Sequence, residues 1–148
     1  MIWISLGLVF TLACLGGGGV HLFRQRNRRR ASTVREGEQV LLRADAVSAR
    51  IYVDKDLLGG PSSGGINRAQ TDLVLTKDRL LVATHQGRLL ELTTQTGGSV
   101  RNTGPNRLVI EGQQPGQGAK VRIELLTEQA EQWASAAEDA LKTSRSAA

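Results

Sequence analysis

Six arginines fall within twelve residues, at Arg24, Arg26, Arg28, Arg29, Arg30 and Arg35, with no acid among them. Guanidinium groups in such a run do electrostatics rather than bond chemistry: they attract anionic headgroups or nucleic-acid phosphates. The residues that could do more are few and scattered. Cys14 is the one cysteine, so neither an intramolecular disulfide nor a cysteine zinc cluster can form. His21 sits beside the arginines and His85 stands alone in a short "HQG" turn. Asp54 and Asp56 neighbour each other at the edge of a glycine-rich stretch, without the further oxygen ligands that calcium requires. "LLGGPSSGGINR", Leu57 to Arg68, is not a phosphate-cradling Walker loop, because Gly65 stands where the lysine belongs. No HExxH, GxSxG or paired-cysteine pattern occurs. The sequence therefore predicts no catalytic residue, no cofactor and no metal, and a protein that is not an enzyme.

The chain has 148 residues and a net charge of +5, and its length suits one domain. The arginine run takes six of the 19 Lys and Arg, leaving 13 to face all 14 Asp and Glu. The basicity is a local device, and the rest is close to neutral.

What precedes the arginines explains their position. Ile2 to Phe23, "IWISLGLVFTLACLGGGGVHLF", carries no formally charged side chain. As a helix it would reach about 33 Å, enough to cross a bilayer core. Residues 1–23 are thus expected to be a single transmembrane helix and 24–35 a basic juxtamembrane linker. A cleavable signal wants positive charge before its apolar core; here the charge follows. The positive-inside rule then puts the N-terminus outside and the C-terminal domain in the cytoplasm, anchored in the cell membrane. The six arginines would meet anionic headgroups. Ala13 and Gly17 form a small-xxx-small pair, a possible helix–helix contact and a route to homo-oligomers. Two alternatives remain open. "TLAC" could make Cys14 a lipid-bearing residue of an exported or lipid-anchored domain. "RQRNRRR" could be the arm of a nucleic-acid-associated protein, although the neutral body and the lack of an aromatic stacking platform argue against it.

From residue 36 the pattern turns to strands. "QVLLRAD", "VSARIYVD", "DLVLT", "RLLVAT", "RLLELT", "RLVIEG" and "AKVRIEL" make about seven short antiparallel strands, rich in β-branched and aliphatic residues. "TQTGGSVRNTGPN", residues 94–106, is a long polar connection that could be strand or loop. Thr127 suits an N-cap. Ala130, Trp133, Ala134, Ala137 and Leu141 form an apolar helical stripe, with Trp133 as its plug. The fold class expected is mainly β with one C-terminal α-helix, a small barrel or sandwich over 36–142 preceded by the transmembrane helix, with 143–148 a disordered tail.

"GEQVLL" opening the domain, "DLVLTKDRLLVAT" as central hairpin and "TEQAEQWASAAEDAL" as closing helix resemble bacterial PH-like and GRAM-like domains. Leu75, Thr76, Arg79 and Leu80 form the most characteristic part. The resemblance implies a PH-like superfold and a non-enzymatic module that binds a protein partner or itself at a membrane surface. It does not carry phosphoinositide binding. The corresponding loop offers only Arg68, with Lys55 just before it, and no basic cluster for a phosphorylated headgroup.

Overall fold

The computed structural model describes residues 20–53 and 65–146. Residues 20–31 are helical (α1). Seven strands follow: β1 Val40–Val53, β2 Gly65–Thr76, β3 Arg79–Thr84, β4 Gly87–Thr93, β5 Ser99–Gly104, β6 Arg107–Gln113 and β7 Lys120–Leu126. The chain closes with α2, Ala130–Ser146. The strands form one antiparallel sheet in the order β4-β3-β2-β1-β7-β6-β5. First and last strands are joined at its centre, with Ile51 opposite Ile123.

The sheet curls until β4 lies against β6, and glycine makes the closure possible. A Cβ on Gly98 would stand 2.6 Å from the Glu111 carbonyl oxygen, and one on Gly112 would collide with Leu92. Gly98 also has a φ of 120°, which side chains with a Cβ rarely adopt. Into the curl point Ile51, Leu73, Leu75, Leu80, Leu92, Ile110 and Ile123, at every second position of their strands. Ala130, Trp133, Ala137 and Ala140 of α2 cover this face. Thr127 fixes the helix start: its N–H donates to the Asn106 carbonyl (2.8 Å) and its hydroxyl accepts from the Gln129 N–H (3.3 Å).

The other face of β2 and β3 is also buried, at Val74, Leu81 and Ala83. Strand alternation puts Asp72 on that same face, and Arg28 of α1 reaches it: its Nε is 2.6 Å from Asp72 Oδ1. So α1 lies on the outside of the sheet, and "RLLVAT" reads as an almost unbroken apolar run because both faces of β3 are buried.

Among the described residues no helix is long and apolar enough to cross a membrane. This corrects the expected transmembrane helix over 1–23 that was to precede the β domain. It corrects with it the single-pass placement, N-terminus outside and domain in the cytoplasm. Residues 1–19 of that segment, including Ala13, Cys14 and Gly17, lie outside the described residues. Residues 20–23 belong to a helix that runs on through the arginines. The physical reason is in those arginines. Five of them are helical, and one is buried against the sheet, so this helix is built to lie on the domain rather than to stop at a headgroup layer.

The strands differ in detail from the pattern expected. "QVLLRAD" and "VSARIYVD" are one bent strand, β1, kinked by a bulge where Ala46 takes a φ of 59°. Residues 94–106 hold a strand, β5, between two turns. The glycine-rich stretch turns to strand from Gly65, and α2 continues four residues past Lys142.

Candidate functional site

Among the described residues β5 ends the sheet and pairs with β6 alone. Its other edge faces a groove of about 320 Å³ between the strand and α2. Val100 and Leu141 give the groove its apolar wall, Thr93 and Thr94 close one end, and Arg101, Glu138 and Lys142 stand at the rim. The rim charges are already matched. Arg101 Nη2 donates to Glu111 Oε2 (2.7 Å), and Lys142 pairs with Glu138 one helical turn away. The closed end is held by a threonine turn. Thr93 N–H donates to Thr96 Oγ1 (2.9 Å), and Thr96 Oγ1 donates to the Glu91 carbonyl (3.2 Å). The result is a strand edge of six residues beside a preformed groove, with backbone N–H and C=O groups as its main chemical resource.

A second constellation is chemically denser. Arg79 is buried, and its Nε and Nη2 donate to both oxygens of Glu38 (2.6 and 2.7 Å). Its Nη1 donates to Glu91 Oε1 (2.8 Å), whose other oxygen accepts from Arg88 Nη1 (2.9 Å). Thr76 Oγ1 takes the N–H groups of Asp78 and Arg79. The hydrogen bonds from Arg79 hold the Glu38 carboxyl down at about 2. Burial pushes the Glu91 carboxyl up, but the bonds and charges of Arg79 and Arg88 leave it below its usual value. Arg79 itself is pushed further up, chiefly by Glu38. A carboxylate held so acidic is a poor proton acceptor, and all three nitrogens of the Arg79 guanidinium donate within the cluster. The arrangement ties the strand entry at Glu38 to the β2–β3 hairpin.

The structure disperses the arginines singled out in the sequence. Arg24, Arg26, Arg29 and Arg30 are exposed on α1. Arg35 is exposed in the turn that follows, where its backbone N–H donates to Glu38 Oε2 (2.8 Å). Arg28 alone is buried, on Asp72, with its Nη1 donating to Gln70 Oε1 (3.1 Å). His21 is exposed on α1 and His85 is half-buried in the β3–β4 turn. Asp54, Lys55 and Asp56 lie outside the described residues. Among the described residues no group of His, Cys, Asp and Glu could hold a metal ion.

Sequence reasoning missed two things: the partner of Arg28 and the open edge at β5. Asp72 inside "TDLVL" was a usable signal, since an acid at the start of an otherwise apolar strand needs a cation if buried. In a larger recess of about 690 Å³, between Tyr52, Gly98, Gly112 and Lys120, Glu111 is paired with Arg101 and, at 3.8 Å, with Arg122. No family model matches the chain, and no curated protein matches it.

Proposed function

We propose that the chain is a PH-like, non-enzymatic binding module whose β5 edge, beside α2, receives an extended segment of a protein partner. The single observation that carries this reading is the sheet edge itself: a strand with one unpaired side, facing a preformed groove whose rim charges are already neutralised. An added strand gains affinity from main-chain hydrogen bonds and specificity from alternate side chains entering the groove. The PH-like part is supported by the strand order, with first and last strands joined mid-sheet and the C-terminal helix over the core. It is also supported by the binding of Glu38, from the opening "GEQVLL", to Thr76 and Arg79 of the resemblance's most characteristic motif. The non-enzymatic part is supported by the closed pairing of the charged cluster around Arg79.

A photo-crosslinking side chain at Thr103, exposed on β5, tests this in cells, with the same group at the exposed Gln86 turn as control. The expected result is a defined adduct from Thr103 and none from Gln86. In the purified complex, amides 99–104 should then exchange more slowly. An adduct of twice the chain's mass would make the partner segment a second copy. Equal labelling from both positions, or a bound partner that leaves β5 exchange unchanged, sinks the reading.

A further inference from the structure

β1 has a strand beside it along its whole length on one side only. β2 accompanies it from Val40 to Val53, whereas β7 pairs with it only from Ala49, opposite Leu125, to Val53. Past Leu126 the chain leaves the sheet, and the Thr127 N–H goes to the Asn106 carbonyl. Among the described residues no strand therefore pairs with the second edge of β1 over residues 40–48. The side-chain bonds that reach this stretch come from β2. Asp72 Oδ1 accepts the Ala46 N–H (2.9 Å), and the Thr71 hydroxyl donates to the Val47 carbonyl (3.1 Å).

Open edges are commonly guarded by lysine or proline, and "VLLRADAVS" contains neither. Instead, the exposed large apolar side chains of the described strands, Val40, Leu41 and Leu126, flank the open stretch. Leu42 and Ala44 pack against the core from its margin and stay half-buried. Arg43 and Asp45, two apart and so on one face, hold only each other (3.0 Å), and both are exposed. Opposite charges at this spacing are self-complementary in an antiparallel pair. Centred on Ala44, such a pair sets each Arg43 across from Asp45 of the second copy, twice over. Centred on Arg43 or on Asp45, it sets like charges face to face, which destabilises.

We propose that a second copy of this chain pairs antiparallel with this edge, about a two-fold axis at Ala44. The second strand then lies in line with the end of β7, where its Val40 and Leu41 meet Leu126. The bulge at Ala46 ends the regular edge, so the contact is short and the dimer weak and reversible. It leaves the β5 edge free.

The test is sedimentation of the purified full chain over a concentration series. The parent chain should pass reversibly from monomer to dimer. Arg43→Asp and Asp45→Arg should each weaken the dimer about tenfold, because each turns two attractions into two repulsions. An equimolar mixture of R43D and D45R should recover the parent affinity, and so should the double variant R43D/D45R on its own. Melting of the dilute variants should match the parent, since an exposed pair contributes little. Amides 42–45 should exchange more slowly in the dimer than in the dilute monomer, and amides 99–104 should not change. A chain that stays monomeric throughout, a dimer indifferent to both single variants, or a mixture that stays weak overturns the proposal. So does protection of amides 42–45 in the monomer, which would mean that a segment of the same chain fills the edge.

Discussion

The Arg79 side chain holds both Glu38 and Glu91, while its backbone closes the turn on the Thr76 hydroxyl. Removing its charge would take the cation from both carboxylates and leave Glu91 with Arg88 alone. Breaking a buried pair of this kind costs about 3 kcal/mol. The same contact sets a pH dependence with a definite sign. Glu38 titrates near 2 in the folded chain against 4.5 when free. A depressed carboxylate contributes stability that is fully present above the unfolded value and is lost as pH falls toward the folded one. Stability from Glu38 should therefore hold down to pH 4.5 and drain between there and pH 2, by at most about 3 kcal/mol. Glu91, also lowered, adds in the same direction. Urea midpoints measured from pH 6 to pH 2.5 should fall mainly within that window. Glu38→Gln should start lower at pH 6 and lose less on acidification; a variant with the parent's slope would remove Glu38 from the account.

At the scale of elements, α1 poses the sharpest contrast. Its arginines look equivalent in sequence, yet only Arg28 is buried, and Asp72 beneath it is fully buried and also accepts the Ala46 N–H at the β1 bulge (2.9 Å). Asp72 Oδ2 has no hydrogen-bond donor among the described residues, so the contact has little redundancy. Arg28→Ala should cost about 3 kcal/mol by stranding a buried carboxylate, whereas Arg26→Ala and Arg30→Ala should stay within about 0.5 kcal/mol. Chemical denaturation of the three variants decides it, and equal effects would mean that α1 does not depend on Arg28. Local pattern made some elements legible. "AKVRIEL" alternates because one face of β7 is wet, and the Ala130–Trp133–Ala137 stripe is apolar because one side of α2 meets the core. Other elements carried no such mark. β5, "SVRNTG", is an edge strand with mostly exposed side chains, so burial left no alternation to read. β1 looked like two strands because its bulge at Ala46 breaks the period. The facing of Arg50 and Arg68 was invisible for a different reason: only the register of β1 against β2 sets them opposite each other.

For the molecule as a whole, the decisive contacts are those between the chain's distant parts. β1 is held by β2 on one side and by β7 on the other, so the centre of the sheet cannot form until the last strand has arrived. Trp133 then packs into the interior of the curl, together with residues from both halves of the sheet. An isolated half would leave Leu73, Leu80 and Ile110 with one face in water, which argues for a single cooperative unit rather than two stacked sheets. The β5 edge is the exception: one neighbour, short length and exposed side chains put it at the low end of local stability. Native-state hydrogen exchange should therefore show β2, β3 and β7 amides opening only with global unfolding, and β5 amides opening at lower cost. Trp133→Ala should lower global stability by about 3–5 kcal/mol and reduce protection equally in β2–β3 and β6–β7. Loss confined to β6–β7 would mean that the two halves unfold separately. It would also mean that a segment added to β5 stabilises only its own half of the sheet.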